Sequence, residues 1–357
     1  MAIAKFDRIL EKSATERVEL IHSANDSTVR QLMNVIKSSR REMLADLTVM
    51  LSSDKMFFKS SDEARTWLNQ RADTNSIQAL IKRADKLDEP YRTKWLDKLK
   101  SPEYRVKLSR QSAIDQAVKL NTIQSGQDAD KVMRNVMIGV AAVSYTHSIF
   151  SLQKATRLGF SFEQPNTRML TAILGRSYSS RSSMLLAGGY GDAFKNTLMR
   201  GLLEGKSIED LAKTTQMVLP SAELWQAKRL VRSQITSTGA EGANQSYKEM
   251  NVEKYRVVAT LDERTCDICG DMDGQIFDVK DAVEGENMPK FHYNCRCTTT
   301  PYVDSTVLSD LKRSARDPTT GKSVKVSADT TYSQWAKDNT GVSKVYDKYV
   351  SKWTGKA

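Results

Sequence analysis

The chain has 357 residues, 39% hydrophobic and 27% charged, and its 54 Lys and Arg outnumber 43 Asp and Glu to leave a formal charge of +11. With a mean hydropathy of −0.50, this is the composition of a soluble, helix-rich chain long enough for two folded units. Seven Pro and 17 Gly without regular spacing argue against an all-β sandwich or barrel. The longest apolar run, Val136 to Val143, is far short of the roughly 18–20 residues that span a bilayer. Lys5, Asp7 and Arg8 fall where a secretory leader needs an apolar run, so neither a membrane span nor a leader is expected.

The first 160 residues read as successive helices. Asp26 and Ser27 stand as N-caps before Val29, Leu32, Met33, Ile36, Met43, Leu44 and Leu47, whose three- and four-residue steps line one helix face. Another helix starts at Ser61 and carries Trp67 and Leu68. Ser101-Pro102-Glu103 starts a further one, because proline at the first helical position loses no hydrogen bond and the serine caps a free N–H. After Gly126 the spacing predicts a long helix from about Ala129 to about Leu158, with Met133, Met137, Val140, Tyr145 and Ile149 on its apolar side. Gly159 to Ser183 changes texture to polar and basic, which places a boundary there.

Helices are expected again over Gly191 to Glu204, Ser207 to Met217 and Ser221 to Met250, the last with Trp225, Leu230, Ile235 and Tyr247 available for packing. The β-branched succession in Tyr255 to Thr260 predicts a strand, and Gln275 to Val279 predicts a second one after the Asp273-Gly274 turn. In the basic tail, Asp317 to Gly321 reads as a turn. Tyr332 and Trp335, then Tyr346, Tyr349 and Trp353, read as short amphipathic helices suited either to docking or to packing back on the parent domain. The expected fold is mainly α with a smaller α+β C-terminal domain. Its parts are an all-helical arm or bundle at 1–160, a strand-and-helix domain at 161–303 and a tail at 304–357.

All four cysteines lie between positions 266 and 297. Cys266-Asp-Ile-Cys269 and His292-Tyr-Asn-Cys295-Arg-Cys297 put five soft or borderline donors into two short groups about twenty residues apart. A Cys-x-x-Cys turn lets two thiolates meet one tetrahedral ion. A second turn of the same span, His292-x-x-Cys295, completes the set, which is a zinc spacing. Cys266, Cys269, His292 and Cys295 are the favoured ligands, with Cys297 either replacing one of them or packing beside the ion. One zinc per chain held in this way is structural, since a catalytic zinc keeps a position open for water. The alternative is a pair of disulfides or buried free thiols. Cys295 and Cys297 are too close to bridge one another without strain, and a chain without a leader keeps its thiols reduced. Asp262, Glu263, Asp271 and Asp273 lie near enough in sequence to act as a general base, but read first as solvated loop charges.

Tyr255-Arg-Val-Val-Ala-Thr-Leu-Asp-Glu-Arg-Thr-Cys-Asp-Ile-Cys-Gly-Asp-Met-Asp-Gly274, followed by Pro289-Lys-Phe-His-Tyr-Asn-Cys-Arg-Cys297, resembles the signature of the phage Mu F-like minor head (head morphogenesis) proteins. That signature runs as a strand, Asp-x-Arg-Thr-Cys-x-x-Cys, an Asp-Gly turn, a variable stretch and His-x-Asn-Cys-Arg-Cys. The preceding helix, with Arg232-Ser-Gln-Ile-Thr236 and Ala243-Asn244, is similar to the family's helix before the strand. Ala315 to Lys322 with Thr331 to Trp335 is similar to a closing segment some members carry. Tyr293 stands where many members have proline and Gln234 where an acidic residue is common, and neither departure removes a donor. The resemblance covers roughly residues 165 to 340. It implies a non-catalytic, low-copy protein of a tailed phage, present in the host cytoplasm during assembly and then inside the capsid near the portal. The implied partner is the portal protein, with major capsid or scaffolding protein as further ones, and the implied role is head assembly and DNA packaging or delivery.

The sequence pI near 9.3 and the basic groups Lys37, Arg40 and Arg41, then Arg176 and Arg181, suit non-specific contact with DNA phosphates. Interleaved Asp and Glu argue against a sequence-specific reader. Gly201-Leu-Leu-Glu-Gly-Lys-Ser207 departs from the phosphate-loop spacing and follows no strand. His22 and His147 are isolated on helical patterns. Two other functions remain as competitors: a zinc-dependent, non-specific nucleic-acid-binding protein, and a toxin-like ADP-ribosylating enzyme, for which no acidic catalytic pair is evident.

Overall fold

A computed structural model describes residues 2–51, 58–156, 165–207, 210–211, 213–214, 221–302, 312–316 and 322–327. The fold is mainly α with a small C-terminal sheet, as expected. Helices α1 (Ala2–Leu51), α2 (Ser61–Asn69), α3 (Thr74–Ala84), α4 (Tyr91–Lys100), α5 (Pro102–Lys107), α6 (Arg110–Thr156), α7 (Thr167–Ser177), α8 (Arg181–Leu203) and α9 (Ser221–Glu249) come first. Then follow β1 (Lys254–Val258), α10 (Asp267–Met272), β2 (Ile276–Asp278), β3 (Thr298–Tyr302), β4 (Lys312–Arg316) and β5 (Ser323–Ser327). These make two compact units that do not follow chain order. The first takes the described residues up to Asn25, Val136–Tyr178 and those from Arg229 onward, and the second takes Asp26–Asn135 and Ser179–Lys228.

In the second unit the stripe read from the sequence is buried at Val29, Leu32, Ile36, Met43 and Leu47, while Met33 and Leu44 are half-buried. Asp26 and Ser27 do not cap a helix. Neither Gly nor Pro occurs between Ala2 and Leu51, so α1 runs straight through them. Helix α2 starts at Ser61 as expected and is capped by Ser60, whose hydroxyl accepts the Glu63 amide at 3.2 Å. Ser101 caps α5 in the expected way, accepting the amide of Tyr104 at 3.4 Å, with Pro102 at the first position.

The long helix α6 begins nineteen residues earlier than the Gly126 break suggested, at Arg110. Gly126 sits inside it against Met184 of α8, and Gly191 of α8 sits against Thr122 of α6. These glycines serve close helix contact, not helix termination, and α8 likewise starts at Arg181 instead of Gly191. Within α6 an 18-residue window reaches a hydropathy of 1.2, long and apolar enough to cross a membrane by composition alone, and half of it is buried in the fold. Arg83, buried to 5% exposure, ties α3 to α1 and α6. Its guanidinium donates to Asp46 at 2.8 and 3.0 Å, to Gln124 at 3.0 Å and to Glu42. The 201–207 segment ends α8: Gly205 takes φ +69 and the Lys206 amide returns to the Gly201 carbonyl at 2.9 Å, a helix C-cap with no phosphate loop.

The first unit packs α6 and α9 closely at Gly242, where an added Cβ would lie 2.9 Å from the Ala141 carbonyl oxygen. Tyr145, Ile149, Ile235 and Tyr247 are buried here as predicted. Leu230 is half-buried. Trp225, on the part of α9 that belongs to the second unit, is 56% exposed, so it fills no core. The sheet has the order β2-β1-β3, with Tyr255 opposite Phe277 on one side and Pro301 on the other, both antiparallel. Strand β3 was not expected, because Thr298-Thr-Thr-Pro301 reads as a polar run with a breaker. It is an edge strand, where proline is tolerated. The hairpin β4-β5 was also unforeseen, and the aromatic tail helices and the Asp317–Gly321 turn lie outside the described residues.

A polar seam joins α1, α6 and β3 in this unit. Arg17, 3% exposed, donates to the hydroxyls of Ser148 at 2.5 Å and Thr298 at 2.7 Å, and to the Thr299 carbonyl. Ser13 and His147 Nδ1 meet at 2.8 Å. Burial, with Arg17 adding, holds His147 below its ordinary value.

Candidate metal centre

The five donors arrive on two turns. Strand β1 leads through residues 259–265 to Cys266, which precedes α10 and leaves Cys269 on its first turns. The second turn follows Met288 and reaches Cys295 with Asn294 at φ +66, a left-handed position that asparagine tolerates. Polar side chains fix both turns. Asp262, 4% exposed, accepts both prongs of Arg296 at 2.5 and 2.6 Å and the amide of Arg264 at 3.0 Å. Burial alone would raise its pKa, but the Arg296 bonds and charge prevail and hold it below the carboxylate range. Asp273 accepts the Ala259 amide at 2.7 Å, and Gly274 takes φ +81 in the turn into β2. Asp262 and Asp273 are therefore structural acceptors, Glu263 is an exposed loop charge, and Asp271 is exposed on α10 instead of in a loop.

Helix α9 holds the second turn. Ser233 accepts the Asn294 amide at 3.1 Å and Thr236 donates to the Cys295 carbonyl at 2.9 Å. Both residues lie in Arg232-Ser-Gln-Ile-Thr236, which the sequence singled out without a role. Gln234 is buried beside them. Tyr293, exposed, lies under the guanidinium of Arg229 at 4.2 Å, so the residue standing in for proline makes a cation–π contact. Beneath the turns, Tyr247, Tyr255, Val257, Cys269, Val279, Cys295 and Cys297 share one small core.

His292 Nε2 lies 3.1 Å from Cys266 Sγ and 2.9 Å from Cys269 Sγ, and Cys269 Sγ lies 3.8 Å from Cys295 Sγ. The donors form two overlapping sets, Cys266, Cys269, His292 and Cys269, Cys295, Cys297, each with its atoms within 4.8 Å of one another. Cys269 belongs to both. All four thiols are free, and a cavity of about 20 Å³ adjoins Cys266, Cys269, His292 and Cys297.

Protonation is uneven across the cluster. Hydrogen bonding by Cys269 and then His292 brings the Cys266 thiol down to about 4, and Cys266 in turn lifts His292 to about 9. Cys295 is lowered, first by Cys269, whereas Cys269 is pushed up, first by Cys266. Cys297 is pushed up because Cys295 and burial outweigh the opposing bond from Cys269. The lowering at Cys266 and Cys295 favours the thiolate, the form that binds metal. His292 Nδ1 donates to its neighbour's carbonyl, Tyr293 O, at 2.7 Å, which turns Nε2 toward the sulfurs as ligating histidines require. The donor chemistry, the free thiols and this orientation fit a metal ion.

Among the basic residues, Arg176 is committed to Glu241 at 2.5 Å and Gln245 at 3.3 Å. Lys37, Arg41 and Arg181 are exposed and Arg40 is half-buried; Lys37, Arg40, Arg41 and Arg181 belong to the second unit and Arg176 to the first.

Residues 192–300 match the model of the family described as Phage Mu protein F like protein. The chain carries a domain of that family. This bears out the resemblance carried by residues 255–297, and the match reaches back through α9 to α8. A Haemophilus influenzae (strain ATCC 51907 / DSM 11121 / KW20 / Rd) protein described as "Uncharacterized protein" is similar over 123 residues at 28% identity, 32% of this chain and 26% of its own length. The chain thus aligns with about a quarter of that relative. No solved structure matches.

Proposed function

We propose that this is a minor head protein of a tailed phage, a non-catalytic structural component that joins the portal protein inside the procapsid and contributes to head assembly and DNA packaging or delivery. The observation that carries the reading is the Phage Mu protein F like match over residues 192–300, whose densest motif folds into one cluster of thiols and imidazole. In this reading one zinc ion is held by four of Cys266, Cys269, His292, Cys295 and Cys297. Bound there, zinc cross-links the two turns and adds folding free energy to the 255–302 segment, whose own core is a few side chains. Asp262, Arg296, Ser233 and Thr236 position the ligands. The segment 161–303 is then the functional domain, and the exposed Lys37, Arg41 and Arg181 offer weak, salt-sensitive contact with DNA.

Metal analysis of the native protein, followed by co-purification with its own portal protein with and without a chelator, tests this. About one zinc per chain and portal capture lost on chelation are expected. Portal capture with no zinc would remove the metal part, and zinc without portal capture would remove the head-protein part.

A further inference from the structure

A closed tetrahedral zinc site needs four donors, and the two turns supply five, Cys266, Cys269, His292, Cys295 and Cys297. The surplus changes what an attack on sulfur does. Loss of one peripheral donor leaves four, whereas loss of two at once leaves an incomplete shell. Position decides which two are lost together. Cys266 is exposed while Cys269, Cys295 and Cys297 are buried, so an oxidant in solution meets Cys266 first.

Cys269 is the sulfur placed to react next. Its Sγ and Cys266 Sγ share a set whose donor atoms lie within 4.8 Å of one another, and His292 Nε2 is 3.1 Å from Cys266 Sγ and 2.9 Å from Cys269 Sγ. Both cysteines border the cavity of about 20 Å³, which has room for about one water-sized molecule. Cys295 lies 3.8 Å from Cys269 but shares no set with Cys266. A bridge between Cys295 and Cys297 is strained.

We propose that Cys266 and Cys269 form a hydroperoxide-sensitive modification site, at which a disulfide between them opens the metal centre reversibly. The proposal rests on the zinc reading. Cys266 Sγ attacks one peroxide oxygen, an S–O bond forms, the O–O bond breaks, and the leaving oxygen departs as water with the Cys266 proton. Cys269 Sγ then attacks Cys266 Sγ, the S–S bond forms as the S–O bond breaks, and the second oxygen leaves as water with the Cys269 proton. Two thiols lose two electrons and one hydrogen peroxide is reduced to two waters. His292, Cys295 and Cys297 remain, one donor short of a closed shell, and a thiol-specific reductant restores the pair.

Hydrogen peroxide is the probe, added to the zinc-loaded full-length protein in a chromogenic zinc indicator, with peptide mass mapping of the cysteines at intervals. Release of about one zinc per chain is expected in step with a Cys266–Cys269 disulfide, with zinc binding recovered after reduction by a phosphine. Cys266→Ser, which removes the exposed thiol, should slow disulfide formation at the same peroxide dose by at least about tenfold. If that variant no longer folds, the mapping in the parent decides. A disulfide through Cys295 or Cys297, zinc release with no disulfide, Cys266 carried to sulfinic acid while Cys269 stays a thiol, or an unchanged rate in Cys266→Ser would each overturn the proposal. A protein holding no zinc before peroxide is added fails the zinc reading instead, and mapping of the metal-free chain then decides whether Cys266 and Cys269 pair.

Discussion

The helices around Arg83 and the turns around Cys269 solve the same problem by different means. In the second unit, α1 and α6 present long stripes of Val, Leu, Ile and Met, and apolar burial at about 25 cal/mol per Å² does most of the holding. Arg83 adds one buried polar tie among residues already in place. The segment from β1 to β3 has a core of a few side chains. Its loops are fixed one by one, by Asp262 with Arg296, Asp273 with Ala259, and Ser233 and Thr236 with the turn at Asn294 and Cys295. Where a stripe carries the fold, one missing contact is local. Where directional bonds carry it, each has no substitute.

The comparison breaks most sharply at Cys269, which both donor sets share. Cys269→Ser, or chelation, is expected to unfold the 255–302 segment, since structural zinc supplies on the order of 10–16 kcal/mol in isolated finger peptides. Zinc content and near-ultraviolet dichroism should fall while most helical far-ultraviolet signal persists; an unchanged melting curve would refute the metal's structural role. Next comes Arg296→Ala, which leaves Asp262 charged and buried at a cost of about 3–5 kcal/mol. The pH dependence follows from the same pair. Asp262 is depressed in the fold, so its contribution is complete above the unfolded value near pH 4 and disappears as pH falls through the lower folded value. Urea midpoints between pH 2 and 5 should drop steeply in the parent and less so in Arg296→Ala.

Met43→Ala, at a fully buried point of the α1 stripe, is expected to cost about 2–5 kcal/mol and to leave zinc stoichiometry untouched, read by melting with metal analysis. The smallest effect is Ser233→Ala, about 1–3 kcal/mol, from the Asn294 amide losing its acceptor. A zinc competition assay should show weaker binding in this variant and parent-like binding in Met43→Ala.

The metal-ligand candidates were legible because short-range spacing encodes them: Cys266-x-x-Cys269 and His292-x-x-Cys295 must be near one another whatever the rest does. The helical stripes were legible for the same reason, since period is local. What the sequence hid is tertiary. Gly126 reads as a break until Met184 is seen against it, and Asp26 reads as a cap until the helix is seen to have begun earlier. Thr298-Thr-Thr-Pro301 becomes a strand only because β1 offers it an edge. Asp262 and Asp273 look like loop charges because their partners, Arg296 and the Ala259 amide, are identified only by the fold. The division into two interleaved units has no signature in composition at all.

The seam at Arg17 has a consequence in time. Its partners Ser148, Thr298 and Thr299 include residues 281 positions later in the chain, and such contacts form slowly because a long loop must close first. At roughly 5–20 residues per second of synthesis, the beginning of α1 leaves the ribosome about 14–56 s before β3 exists to receive it. The helices of the second unit have their nearer partners sooner, so the interior of the chain is set to fold during translation. The two ends close the first unit only after the cysteine turns have been made.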